Sequence, residues 1–262
     1  MMGVLNVTPD SFSDGGRFAT RPSATSHARR LIDEGADILD IGGESTRPGA
    51  DPVEPAEQTR RVVPVIDNVR RFSDIPISID TASARVAEEA VKAGADILND
   101  VTALRGDPAM LEVAAEHQLP VVLMHMLGTP RTMQKSPVYE DVVKDIGDFL
   151  RQRIAFAVAG GIDENQVLVD PGFGFGKTVE HNLEMLRRLR EFHCLGCPLV
   201  VGTSRKSMIG GVLDRPVDQR LFGTAATVAA AVVRGAHVVR VHDVAEMLDV
   251  VRMTEAIGGE AS

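Results

Sequence analysis

At 262 residues, with no Pro/Ser-rich or charged linker dividing it, the chain has the size of one α/β barrel domain, residues 1–262. A formal net charge of −9 argues against a nucleic-acid partner or an anionic membrane surface, so any anionic ligand must be held by local cations. No apolar run approaches the roughly 20 residues that span a bilayer, and no charged segment leads into an apolar signal core, which makes a cytoplasmic enzyme the expectation.

Hydrophobic residues make up 44% of the chain, Trp is absent and Tyr139 is the single tyrosine, so the core must be mostly aliphatic. Eight short apolar runs stop near Asn6, Asp40, Asp80, Asn99, His125, Asp170, Ser204 and Arg240, with His242 just beyond the last. Between them, segments 23–35, 83–94, 107–116, 139–159, 180–192 and 225–235 space apolar residues three and four apart, as outer helices do. Three echoes expose the repeat: Gly35-Ala36-Asp37-Ile38-Leu39-Asp40, Gly94-Ala95-Asp96-Ile97-Leu98-Asn99 and Gly235-Ala236-His237-Val238-Val239-Arg240. In each, Gly ends a helix and a short strand carries a polar residue to its exit.

Alternating strands and helices with eight strands, and no dinucleotide fingerprint, favour the α/β class and a closed (β/α)8 TIM barrel over an open sheet. In such a barrel the strand ends converge on one face, where residues distant in sequence can surround one ligand. Three segments following strands, 8–20, 42–55 and 126–137, are longer than a connection needs and rich in Gly, Pro, Ser and Thr, as lids and binding loops are. Cys194 and Cys197 form a C-x-x-C, but only His193 stands near and the pair precedes a strand, so reduced packing cysteines on the opposite face are expected.

Among the motifs, Asp170-Pro171-Gly172-Phe173-Gly174-Phe175-Gly176-Lys177 fits neither a Walker loop nor G-x-G-x-x-G. It suits a floor under a flat ring, because glycines let the backbone approach while Asp170 offers a carboxylate; an ordinary Gly-rich turn is the plainer alternative. Asp80, Asn99 and Asp170 offer acceptors and one amide donor, matching a heterocycle with a 2-amino, N–H edge like that of guanine or pterin, and Lys206 could donate to its carbonyl. Asp80 could instead cap the following helix. Asn6, Arg47, Arg240 and His242, with a helix starting near Ser207, could hold an anion, although Arg240 and His242 could simply pair with Asp243.

The runs Leu5 to Gly16, Gly42 to Gly49, Asp170 to Lys177, Ser204-Arg205-Lys206 and Arg240-Val241-His242-Asp243, in that order, resemble the dihydropteroate synthase family along essentially the whole length. The resemblance implies a (β/α)8 barrel that joins p-aminobenzoate to 6-hydroxymethyl-7,8-dihydropterin diphosphate, releasing pyrophosphate with Mg2+ present, in a homodimer. It implies a catalytic set of Asp80, Asp170, Lys206, Arg240 and His242. Asp80, Asn99, Asp170 and Lys206 would hold the pterin, with Met124 lining its slot; Asn6, Arg240 and His242 would hold the diphosphate, Asn6 also serving Mg2+. Phe12, Thr46, Arg47, Pro48, Phe175 and Ser207 would shape the aminobenzoate site, and Asp40 is a further pocket candidate.

Two departures stand out: Leu127 replaces a residue that is often polar or basic, and the chain begins almost at strand one, so the barrel bottom is expected to be less covered. An aryl amine needs no base at neutral pH, so the absence of a Ser/His/Asp set is expected, and an SN1-like departure of pyrophosphate with loops closing over the cation would follow. Unaltered aminobenzoate contacts imply sulfonamide sensitivity. Two other readings stay open: a methyltetrahydrofolate methyltransferase with a corrinoid partner, and a non-catalytic pterin-binding relative.

Overall fold

Strand β1 (Met2–Asn6) pairs in parallel with β2 (Ile38–Gly42) on one side and β8 (Val238–Val241) on the other, which places the first and last strands together. From β2 the sheet continues through β3 (Ile77–Asp80), β4 (Ile97–Asp100), β5 (Val121–Met124) and β6 (Val167–Asp170), every pair parallel. β7 is only Val200–Val201 and pairs with β8; a bridge from Val169 to Leu199 and a 3.0 Å bond from the Val169 amide to the Pro198 carbonyl join β6 to it and close the ring. This computed structural model describes residues 1–8, 21–45 and 49–258. The expected eight-stranded barrel is present.

Outer helices separate the strands: α1 (Arg21–Asp33), α2 (Pro55–Arg70), α3 (Ala84–Lys92), α4 (Ala109–Glu116), α5 (Val142–Ala159), α6 (Val179–Arg187), the short α7 (Ser207–Leu213), α8 (Leu221–Val233) and α9 (Val244–Gly258). The expected helix 180–192 divides into α6 and a 3-10 helix, Leu189–Leu195. Two helices, α2 and α9, lie outside the segments with the expected helical spacing. In α2 an internal Pro64 disguises the pattern, yet Val62, Val65, Ile66 and Val69 are buried at helical spacing.

The core is aliphatic as composition requires, with Leu5, Leu39, Ile41, Ile77, Ile79, Val121, Leu123 and Val169 at 0% exposure. The three echoed segments do the same job at the barrel bottom: Gly35, Gly94 and Gly235 all have positive φ, and the side chain two residues on accepts from an amine or amide at the start of a neighbouring strand. Asp37 takes the Met1 amine at 2.6 Å, Asp96 the Ile77 amide at 2.8 Å and His237 the Leu199 amide at 3.0 Å. Cys194 and Cys197 are free thiols at that same end, Cys194 exposed and Cys197 buried.

Candidate active site

A polar network crosses the C-terminal mouth of the barrel. Arg240 on β8 donates from Nε to Asp40 Oδ2 at 2.6 Å and from Nη2 to Asp80 Oδ2 at 2.9 Å, joining β8 to β2 and β3. Asn99 on β4 donates from Nδ2 to the two oxygens of Asp40 at 3.2 and 3.3 Å. Residues 40, 80, 99 and 240 thus meet, although 200 positions separate the outermost pair. Parallel register explains how: Asp40 lies beside Ser78, and Asp80 beside both Gly42 and Asn99.

The network fixes the charges. Burial, with the negative charge of Asp40 added to it, pushes the Asp80 carboxyl up to about 7, while Arg240 opposes the shift. Burial also works against the Arg240 charge, but Asp40 and Asp80 outweigh it and hold its pKa above the usual guanidinium value. Asp80 does not cap α3, which has no side-chain cap from its own N-cap residue. The Ala84 amide at the start of that helix donates to Asp107 Oδ2 at 2.9 Å instead. Nor does Asp243 pair with Arg240: its carboxylate takes Arg205, from Nε at 3.0 Å and from Nη2.

Asp170 ends β6, and the Gly172 amide donates to its Oδ1 at 2.7 Å. Burial raises its carboxyl, opposed by that bond and by Lys206, Arg240 and Lys177. Gly172, Gly174 and Gly176 all have positive φ, and a Cβ at Gly172 would meet the His125 carbonyl oxygen at 1.9 Å, so only glycine fits where this loop crosses the end of β5. The loop carries Phe175 under Lys206, whose Nζ lies 4.1 Å from the ring centroid. Phe175 and Met124 belong to an apolar cluster separate from the core, with Val101, Met126 and Met133.

Lys177, absent from the expected site, is the loop's anchor. Its buried Nζ donates to the carbonyls of Gly172 at 2.9 Å and Phe175 at 3.0 Å and faces His125 Nδ1 at 3.0 Å. Burial, reinforced by Lys206, holds its amine well below the usual lysine value, and burial with the Lys177 charge drives the His125 imidazole down to about 2. His125 is therefore neutral. The signal available in the sequence was a lysine closing a glycine run with a histidine at the exit of another strand.

His242 follows β8, and its Nδ1 lies 3.0 Å from the Ser204 hydroxyl, which accepts in turn from the His242 amide at 3.2 Å. Asn6 ends β1 half-buried, and Ser207 opens α7 exposed. The structure gathers Asp40, Asp80, Asn99 and Arg240 by direct bonds, and Asp170, Lys206, Phe175 and Met124 through the glycine loop and its neighbours. Phe12, Thr46, Arg47 and Pro48 lie outside the described residues. Asp40 sits inside β2 rather than at its exit.

The family model described as pterin binding enzyme matches residues 2–242. A dihydropteroate synthase of Haemophilus influenzae is 49% identical over 256 residues, covering 98% of this chain and 93% of that one. The dihydropteroate synthase of Yersinia pestis, solved in a sulfonamide drug complex, superposes with a TM-score of 0.94 at 47% identity, covering 98% and 94% of the two chains. That of Xanthomonas albilineans, solved with 4-aminobenzoic acid, gives a TM-score of 0.92 at 46% identity, covering 98% and 92%. Neither the methyltransferase nor the non-catalytic reading is shared by these relatives; the chain belongs to the pterin-binding enzymes and, among them, to the dihydropteroate synthase family.

Proposed function

We propose that the polar mouth of this barrel, within one domain spanning residues 1–262, binds 6-hydroxymethyl-7,8-dihydropterin diphosphate and couples its methylene to the amine of p-aminobenzoate. The carrying observation is the bonded set Asp40, Asp80, Asn99 and Arg240, drawn from four strands into one network at the barrel mouth. Asp170 retains a carboxylate oxygen that bonds no described residue and would take the 2-amino, N–H edge of the ring. Asp80, Asn99 and Lys206 would complete the ring contacts, with Met124 along its face.

Arg240 uses Nε and Nη2 on carboxylates, which leaves Nη1 for a diphosphate oxygen, and the His242 imidazole beside β8 would supply a second contact. As the methylene C–O bond breaks, both electrons leave with pyrophosphate, whose growing charge these donors stabilise. Asp80 and Asp170 favour the cation left on the dihydropterin. The neutral aryl amine then forms the C–N bond and gives its extra proton to solvent. Phe175 and Ser207, with Phe12, Thr46, Arg47 and Pro48, would orient p-aminobenzoate and exclude water.

No group of three or more His, Cys, Asp or Glu among the described residues could cage a metal ion. A lone carboxamide oxygen from Asn6 beside substrate phosphates is nevertheless the donor set that Mg2+ accepts, since this ion keeps most of its waters and needs few protein ligands. When bound there, Mg2+ would supply charge neutralisation to the diphosphate.

A second copy of the chain is the proposed partner. Phe222 and Val233 on α8 and Met253 and Ile257 on α9 are 85%, 55%, 62% and 75% exposed, and the two helices pack together. A Phe222→Glu variant should sediment as a monomer where the wild type sediments as a dimer; identical sedimentation would remove this face from the interface. No helix among the described residues is long and apolar enough to cross a membrane, and the proposed location is the cytoplasm.

The reaction is tested by measuring pyrophosphate released from the pterin diphosphate with and without p-aminobenzoate, for wild type and Lys206→Ala. Release that needs p-aminobenzoate and drops at least a hundredfold in the variant supports the assignment. Release indifferent to p-aminobenzoate contradicts it. Competition by a sulfonamide at micromolar concentration should raise the apparent KM for p-aminobenzoate alone.

A further inference from the structure

Asp40 is fully buried in the middle of β2, and nothing in the chemistry above requires it to touch substrate. Four contacts nevertheless end on its carboxylate. Asn99 Nδ2 lies 3.2 and 3.3 Å from its two oxygens, and Arg240 approaches Oδ2 with Nε at 2.6 Å and Nη2 at 2.5 Å. A carboxylate held by an arginine only accepts, so the Asn99 amide must give it the NH2 end and turn Oδ1 away. That Oδ1 bonds no described residue, and it is not among the side-chain atoms sealed from solvent without a partner, so it opens onto the space at the exit of β4.

We propose that Asp40 is a positioning residue that sets the polarity of the ring-reading edge: it fixes position 99 as a hydrogen-bond acceptor facing the ligand while aligning Arg240 for the diphosphate. The inference rests on Asn99 being a pterin contact, and it adds that the ligand must present an N–H at that point. An Asp40→Asn substitution would leave the shape almost unchanged and invert the chemistry. Arginine has only donors, so the new amide would turn its oxygen to Arg240 and its NH2 to Asn99. Asn99 would then have to turn over, meeting the ligand's N–H with a donor. Exchanging both residues, Asp40→Asn with Asn99→Asp, returns an oxygen to the ligand side while taking the β2 carboxylate from Arg240.

The experiment measures binding of two probes by calorimetry, 6-hydroxymethyl-7,8-dihydropterin without diphosphate and inorganic pyrophosphate, to Asp40→Asn, Asp40→Ala and the exchanged pair. Asp40→Asn should weaken the pterin more than tenfold, and more than Asp40→Ala does, because alanine frees the amide whereas asparagine forces the wrong end outward. A packing role alone gives the reverse order, the smaller residue being worse. The exchanged pair should recover pterin affinity to within threefold of wild type and leave pyrophosphate weakened. Wild-type pterin affinity in Asp40→Asn, the reverse order of the two single variants, or an exchanged pair that melts like wild type without recovering the pterin would each overturn the proposal. An Asn99→Ala variant separates the two layers: unchanged pterin binding there removes the pterin contact itself, not only the role of Asp40.

Discussion

Gly172 and Gly196 have nearly the same φ, 72° and 74°, and differ in their surroundings. A Cβ at Gly196 meets nothing within 4 Å, whereas at Gly172 it would lie 1.9 Å from the carbonyl oxygen of His125. Replacing each with alanine therefore separates the cost of left-handed backbone from the cost of the crossing. Gly196→Ala should lose only about 1 kcal/mol, or about 2–4 °C in Tm. Real Cβ atoms stay at least 3.0 Å from such neighbours, so in Gly172→Ala the loop must withdraw by about 1.1 Å or more, adding about 1–3 kcal/mol of overpacking. That movement displaces the segment that bonds Asp170 and seats Phe175 under Lys206. A misplacement near 1 Å in a catalytic site costs about a hundredfold. Urea unfolding and steady-state kinetics on both variants decide the matter. Gly172→Ala should show the larger destabilisation and a roughly hundredfold loss of kcat/KM for the pterin substrate, while Gly196→Ala keeps wild-type kinetics. Equal destabilisation with equal kinetics would refute the reasoning.

Asp80, with its carboxyl pushed up to about 7, binds a proton in the fold at pH values where the unfolded chain has released it. Its contribution to stability therefore falls as pH rises from about 4 to about 7. Asp80→Asn should remove that part of the slope in unfolding experiments, and metal-free pterin binding to the wild type should tighten through the same upper range as the acceptor ionises. Lys177 has the opposite sign of linkage. Its lowered amine pKa means the unfolded state holds the extra proton, so stability rises with pH up to the ordinary lysine range. Lys177→Met should lose this rise, so its deficit against wild type widens between about pH 7 and about pH 9. At neutral pH it leaves the carbonyls of Gly172 and Phe175 without their donor, at about 1–3 kcal/mol each before relief of the buried amine. A constant deficit across that interval would show that the amine is not desolvated. Arg205→Ala should spare the Arg240 network, because Asp243 pairs with Arg205 and not with Arg240; loss of pyrophosphate affinity comparable to that of Arg240→Ala would contradict this.

Much of the architecture was legible because its signals are local. A glycine with positive φ followed by a short apolar run marks each helix-to-strand turn, and Gly35, Gly94 and Gly235 all behave as their echo suggests. The exits of β1, β3 and β6 fall on Asn6, Asp80 and Asp170, because a polar side chain ends an apolar run where the chain leaves the core. What escaped is non-local. Asp40 reads as the end of a run, but β2 continues through Ile41 and Gly42, since a charge can stay inside the barrel when Arg240 arrives from the far end of the chain to meet it. Lys177 looks like the tail of a glycine loop, and its work of holding two carbonyls against His125 depends on a strand crossing 52 residues away. α2 was hidden by its own Pro64 and the long segment before it.

The most direct measurement is a crystal structure of the chain with the dihydropterin diphosphate and p-aminobenzoate bound in a slow variant such as Lys206→Ala. The expected density places the pterin ring above the loop 172–176 with its amino edge on Asp170, an N–H on Asn99 Oδ1 and a diphosphate oxygen on Arg240 Nη1. A ring bound elsewhere, or an Arg240 that leaves Asp40 and Asp80 to turn away from the diphosphate, would contradict it.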